Sequence, residues 1–191
     1  LSGVEIKNNS SLELQPFYQL HDARYMMYWM RLSNKQYSSY IDSIAKLEQA
    51  KLALQKRTVD FVAPGEQQPE ADHFIQKQNS NTGNYLDEFW RDARNGGYFS
   101  YQLANNAETN LNLVVRYCGA EKGNRTFDIL IDDERLVTET INGKWDQQKF
   151  MEVEYSIPAS MLNNKTSVRV KFQSSQGTTA GSVYYVRLVK K

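Results

Sequence analysis

Cysteine and histidine are scarce in this sequence, and each shortage narrows what the chain can do. A single cysteine, Cys118, excludes an internal disulfide, so the fold rests on its core alone. The two histidines, His21 and His73, stand about fifty residues apart and leave no cluster with zinc spacing. No stretch of 18 or more apolar residues is present, which excludes a membrane-spanning helix. Charge of either sign lacks a surplus: 23 Lys plus Arg against 22 Asp plus Glu give a net +1. Phosphate-backbone binding draws on such a surplus, so nucleic acid is a poor partner. There is no G-x-S-x-G elbow and no phosphate-cradling glycine loop. The opening LSGVEIKNNSSLEL has neither the basic nor the apolar section of a secretion signal, as a trimmed chain would also lack.

What is present falls into three textures. HDARYMMYWM, residues 21 to 30, is apolar on both faces from Tyr25 onward, and as a strand it would need cover on both sides. Next comes a run with Tyr37, Tyr40, Ile41, Ile44, Leu47 and Leu54 near helical spacing. Ser33 and Gln36 have the spacing of a capping box, with Leu32 and Tyr37 placed as a hydrophobic staple. Lys56 and Arg57 suit the negative pole of the dipole, so an amphipathic helix is predicted over about 34–57. One apolar stripe implies that it lies against a neighbour.

Beyond Thr58 the sequence turns to short alternating runs bounded by Gly, Asn, Asp and Pro. The clearest is SVRVKFQ, where Val168, Val170 and Phe172 face one way and Arg169, Lys171 and Gln173 the other. Similar runs predict strands at 73–78, 98–104, 111–118, 126–132, 135–141, 149–157 and 182–189. LDEFWRDAR, 86–94, reads as a short helical turn. The fold class is therefore mainly β, an antiparallel β-sandwich of jelly-roll type preceded by a strand and one amphipathic helix. Domain boundaries follow at 1–33, 34–58 and 59–191, and a body of this size can bury a real core.

Candidates for chemistry are few. Cys118 ends a predicted strand and reads as a small apolar filler. The carboxylates Glu66, Glu70, Asp72, Asp87 and Glu88 could supply a hydrolytic pair only at the right separation, and a charged loop explains them as well. Asp132, Asp133 and Glu134 lie between two strands and read as a turn, with a structural calcium as the alternative. The richer signal is aromatic and polar together: Trp90 beside Arg91 and Arg94, with Tyr85, Tyr98 and Trp145 near strand ends. A sugar ring has an apolar face and a rim of hydroxyls, so it needs a flat aromatic and a few fixed polar groups. Trp90 or Trp145 is the expected platform, with Tyr98, Arg91, Glu66, Glu70 and His73 around it. Burial of both tryptophans in the core is the competing expectation.

Three stretches also carry a resemblance: PFYQLHDARYMMYW (16–29), APGEQQPEADH (63–73) and WRDARNGGYFSYQL (90–103). They resemble the C-terminal end of bacterial glycoside hydrolases similar to the β-L-arabinofuranosidases, glycoside hydrolase family 127. In that family a helical-barrel catalytic domain precedes β-rich accessory domains, the last of them a galactose-binding-like sandwich. The resemblance implies that HDARYMMYW closes an upstream accessory domain. It also implies that the nucleophilic cysteine and zinc ligands belong to the barrel, with no counterpart in this chain. The expectation is thus a non-enzymatic, secreted, periplasmic or cell-surface carbohydrate-binding module with no cofactor. Its partners would be plant-type or arabinose-containing glycan and, through the apolar strand, a hydrolase domain or a second copy. The alternative is a structural sandwich that packs on a hydrolase and has no ligand.

Overall fold

The computed structural model describes residues 32–191. The chain divides into two compact units, Leu1–Ile44 and Ala45–Lys191, and each is taken by itself. The expected strand in HDARYMMYWM, and His21 with it, lie outside the described residues.

Helix α1 spans Asn34–Arg57. Its capping box forms: Gln36 N donates to Ser33 Oγ at 3.3 Å, and Ser33 N donates to Gln36 Oε1 at 2.9 Å. These bonds satisfy two of the donors that a helix start leaves free. The expected burial of the apolar stripe is not met, since no residue of the helix is buried. Its second half is anchored at the end. Leu54 packs on Val114, Tyr185 and Val189, and Arg57 Nε donates to the Lys190 carbonyl at 2.7 Å.

The larger unit is an antiparallel, nearly closed sandwich. Its strands are β1 (Thr58–Val62), β2 (Gln76–Tyr85), β3 (Glu88–Ala104), β4 (Leu111–Cys118), β5 (Thr126–Ile131), β6 (Glu134–Thr140), β7 (Phe150–Ser156), β8 (Ser167–Ser174) and β9 (Thr179–Lys190). Short helices α2 (Gln67–Asp72) and α3 (Ala159–Leu162) join them. Along the hydrogen-bonded path the order is β6-β5-β8-β3-β9-β4-β7, with β1 on β9 and β2 on β3. β3 belongs to both layers, because its first part pairs with β9 and its second, from Tyr98, with β8.

The chain turns between the layers at Asn95–Gly97. Asn95 and Gly96 have φ of 51° and 78°, the left-handed region open to Asn and Gly. Gly97 is needed for close approach: a Cβ there would lie 2.4 Å from the Gln78 carbonyl oxygen. β8 clamps the turn, Gln173 Nε2 donating to the Gly96 and Gly97 carbonyls and Ser174 Oγ to Gly97. Between the layers lies one core in which Phe99 stacks on Phe172 at 4.9 Å and Phe127 leans on the same ring. The alternation read in SVRVKFQ is what the structure shows, with Val168, Val170 and Phe172 buried.

Two expectations need correction. LDEFWRDAR is not a helical turn; from Glu88 it is the start of β3, and Leu86 and Asp87 form the hairpin turn with φ of 49° and 61°. The strand expected at 73–78 begins only at Gln76, since Gln67–Asp72 is helical and His73 caps it. Asp132 and Asp133 do form a turn, between β5 and β6, with φ of 49° and 67°. Lys165 and the Arg169 N–H bind Asp132, and Lys171 binds Asp133.

Candidate functional site

The register of the β2–β3 hairpin sorts the side chains near Trp90 by face. Arg91 and Ala93 point into the sandwich and are buried, while Trp90, Asp92 and Arg94 form a row on the opposite face. Opposite Trp90 in register is Gly83, and a Cβ on it would lie 2.4 Å from Trp90 Cζ2. The indole therefore lies flat over a position that only glycine leaves open.

Next along the row, Asp92 is 1% exposed and fully engaged. Its Oδ2 accepts from Arg94 Nε and Nη2 at 3.0 and 2.8 Å, and its Oδ1 from Asn81 Nδ2 at 3.3 Å. Arg94 itself stays 54% exposed. β4, the loop after it and β9 complete a cleft of about 410 Å³ with Cys118, Glu121, Arg125, Ser182 and Tyr184, while Asn84 and Tyr85 come from the hairpin. Arg125 is held by Glu121 at 2.7 Å and donates Nη1 to the Gly181 carbonyl at 2.7 Å. Burial pushes the Tyr184 hydroxyl well above its ordinary pKa, with Cys118 and Glu121 adding to the effect, so it stays a neutral hydrogen-bonding group.

Two carboxylates and two guanidiniums line this cleft, already paired with each other. Formal charge cancels, and what remains is a flat aromatic ringed by fixed donors and acceptors. Such a lining suits a neutral hydroxylated ligand better than an anion. Among the described residues no group of three or more His, Cys, Asp or Glu side chains converges as a metal would need.

The other expected site residues are elsewhere. Glu70 and Arg91 form a buried ion pair, Nε to Oε1 at 2.5 Å and Nη2 to Oε2 at 2.6 Å. Tyr101 and the Gly65 N–H add donors to Glu70 Oε1 at 2.7 and 2.8 Å. Burial alone would raise the Glu70 pKa, yet the bonds from Arg91, Gly65 and Tyr101 outweigh it and hold the carboxyl below its ordinary value. Glu66 is exposed at the start of α2. His73 donates Nδ1–H to the Pro69 carbonyl at 2.7 Å, and its Nε2 lies 3.2 Å from Asp60 Oδ1. Tyr98 sits past the bend, with Lys171 Nζ 5.1 Å above its ring. Trp145 is half-buried in the loop after β6, stacked on Tyr117 at 6.1 Å and packed against the core.

Of the expected site residues only Trp90 lines the cleft; Tyr85 and Arg94, singled out beside it, line it too. The residues that sequence reasoning missed are Asn84, Asp92, Glu121, Arg125, Ser182 and Tyr184. Alternation was the available signal for Asp92: read as a strand, 88–94 places Trp90, Asp92 and Arg94 together.

The model of a family of unknown function, DUF6805, matches residues 53–189, and that of a domain of unknown function, DUF4986, matches residues 2–31. No curated protein matches the chain. Among solved structures, a family 35 carbohydrate binding module from an environmental isolate has the same fold at TM-score 0.50 and 12% identity, covering 69% of this chain and 93% of that one. A family 35 module from Clostridium thermocellum is 12% identical at TM-score 0.45, covering 61% and 92%. The CBM36-1 domain of a multidomain xylanase, from the hindgut metagenome of Trinervitermes trinervoides, is 17% identical at TM-score 0.46, covering 69% and 96%. At 12% identity the likeness to the module from the environmental isolate speaks for the fold alone.

Proposed function

We propose that this chain, which belongs to the DUF6805 family of unknown function, is a non-catalytic carbohydrate-binding module that holds neutral glycan in the Trp90 cleft. The observation that carries the reading is the Trp90 indole lying over Gly83 in an open cleft, flanked by the paired Asp92–Arg94 and Glu121–Arg125. A stacked ring would rest on the indole while its hydroxyls bond to the exposed edge of Arg94 and to the edges that Glu121 and Arg125 leave open, with the buried Asp92 holding Arg94 in place. The fold shared with a carbohydrate binding module supports the reading. The resemblance to β-L-arabinofuranosidase-type hydrolases makes arabinose-containing plant glycan the ligand to try first, and an exported bacterial protein its setting.

Isothermal titration against arabinans, galactans and pectic fragments tests this directly. Affinities between millimolar and micromolar, about 4 to 8 kcal/mol, are expected. Trp90→Ala should abolish the heat while the far-ultraviolet circular dichroism stays that of the folded sandwich. Silence across the panel, or full binding by the variant, would sink the reading.

One observation favours the structural alternative. On the outer face, Arg187 lies between Phe61 and Tyr185 at 4.1 and 4.8 Å, and Arg116 between Tyr185 and Phe150 at 5.5 and 4.4 Å. This ladder of aromatic rings and guanidiniums could seat a hydrolase domain. Phe61→Ala would then loosen such a complex, and glycan titrations would be silent with or without the substitution.

A further inference from the structure

A second cleft of about 470 Å³ is lined by Asn79, Ser80, Asn81, Arg94 and Asn95. Arg94 lines both clefts. The boundary is one hydrogen-bonded unit, because Asp92 of the first cleft accepts from Asn81 of the second and from Arg94, common to both. The second cleft sits where β2 and β3 bend together. Asn79 and Asn95 have φ of 47° and 51°, conformations that asparagine tolerates better than most residues. Three amides are thereby gathered at the bend, offering donors and acceptors without an aromatic face, while the Ser80 hydroxyl is taken up by Arg91 and the Asp92 carbonyl.

We infer that the two clefts form one groove, and that its ligand is a linear neutral glycan of at least three consecutive rings. One ring stacks on Trp90, the chain passes Arg94, and the far rings bond to the amides of Asn79, Asn81 and Asn95. Length supports this: alternate residues of a strand are roughly 7 Å apart, so Trp90 to Arg94 covers roughly 14 Å, more than one sugar ring. Charge supports it too, since among the described residues Arg94 alone brings a charge to the second cleft and it is already paired with Asp92. The inference deepens the carbohydrate reading and rests on it.

The test is calorimetric titration of the full chain with linear arabino- and galacto-oligosaccharides, from monosaccharide to hexasaccharide. Affinity in one series should climb about tenfold from disaccharide to tetrasaccharide and then level off. The double variant Asn79→Gly, Asn95→Gly keeps the left-handed backbone and removes two amides. It should bring the tetrasaccharide down to the affinity of the disaccharide and leave the disaccharide unchanged. Equal affinity for disaccharide and hexasaccharide in the wild-type chain overturns the groove while the single-cleft reading stands, and this comparison needs no variant. Equal weakening of short and long ligands in the double variant overturns it as well. If no sugar of either series binds, the inference falls together with the reading beneath it.

Discussion

Arg91 and Arg94 are three residues apart on one strand and do opposite things. Arg91 points inward, is 3% exposed, and is gripped by both oxygens of an equally buried Glu70. Arg94 points outward, is 54% exposed, and leans on a single oxygen of Asp92. The inner pair, with Tyr101 and Gly65, ties α2 and the loop before it to β3. The outer pair ties nothing distant together, and its arginine lines two clefts. A strand reverses its side chains at each residue, so one W-R-D-A-R segment writes a structural clamp on one face and a recognition surface on the other.

The largest effect should come from breaking the inner pair. Arg91→Ala leaves the Glu70 carboxylate buried without its partner, which costs about 3–5 kcal/mol. For a domain of this size that lowers the melting temperature by roughly 6–20 °C, readable by calorimetry. A shift of only a degree or two would mean that water reaches Glu70 and that the two arginines are not so different. The same pair sets an acid limb. Glu70 is held below the 4.5 of a free glutamate, so the unfolded chain takes up its proton first on acidification. Stability from this group is present above pH 4.5 and is lost as pH falls through its lower folded value. Denaturant midpoints for Glu70→Gln should accordingly vary less between pH 5 and pH 2 than those of the wild type. Parallel curves would assign acid sensitivity to other carboxylates.

An intermediate effect tests the outer face at its floor. Gly83→Ala places a methyl where the Trp90 ring now rests, with Cζ2 at 2.4 Å and Cε2 at 2.8 Å, so the indole must lift or swing. Sugar affinity should drop about tenfold, near 1.4 kcal/mol, and tryptophan fluorescence should shift in the unliganded protein. An unchanged affinity would move the stacking platform away from Trp90.

Much of this fold was legible because the forces that set it are periodic. Alternation in SVRVKFQ marks a half-buried strand, and the Ser33–Gln36 spacing marks a helix start whose bonds are local. The site was legible only in part, and the misreading of 86–94 as a helical turn shows why. Trp90, Asp92 and Arg94 share a face only in a strand, and what makes that segment a strand is its pairing with 80–85 and with β9, a partner some ninety residues away. Glu121, Arg125 and Tyr184 reach the cleft by the same long-range pairing, which leaves no mark on their own neighbourhoods. Glu70 and Arg91 were singled out as polar neighbours of a sugar ring, and nothing in the sequence says that each is instead the other's buried partner. Trp145 shows the converse, an aromatic in a polar loop that the fold turns back onto Tyr117.

The smallest stability effect expected is that of Arg94→Ala, and it completes the contrast. Arg94 stands half in solvent, so truncating it should open a path for water to the Asp92 oxygen that the guanidinium now occupies, while the Asn81 amide remains as a donor. Water then replaces the guanidinium as donor, and the loss should be about 1 kcal/mol or less, as for other half-exposed pairs. Glycan affinity should nevertheless fall several-fold, since the lost donors belong to both clefts. Should Arg94→Ala instead destabilise the protein as much as Arg91→Ala, Asp92 must stay sealed from solvent without it. The outer face would then be a second clamp rather than a surface built to be met by a ligand.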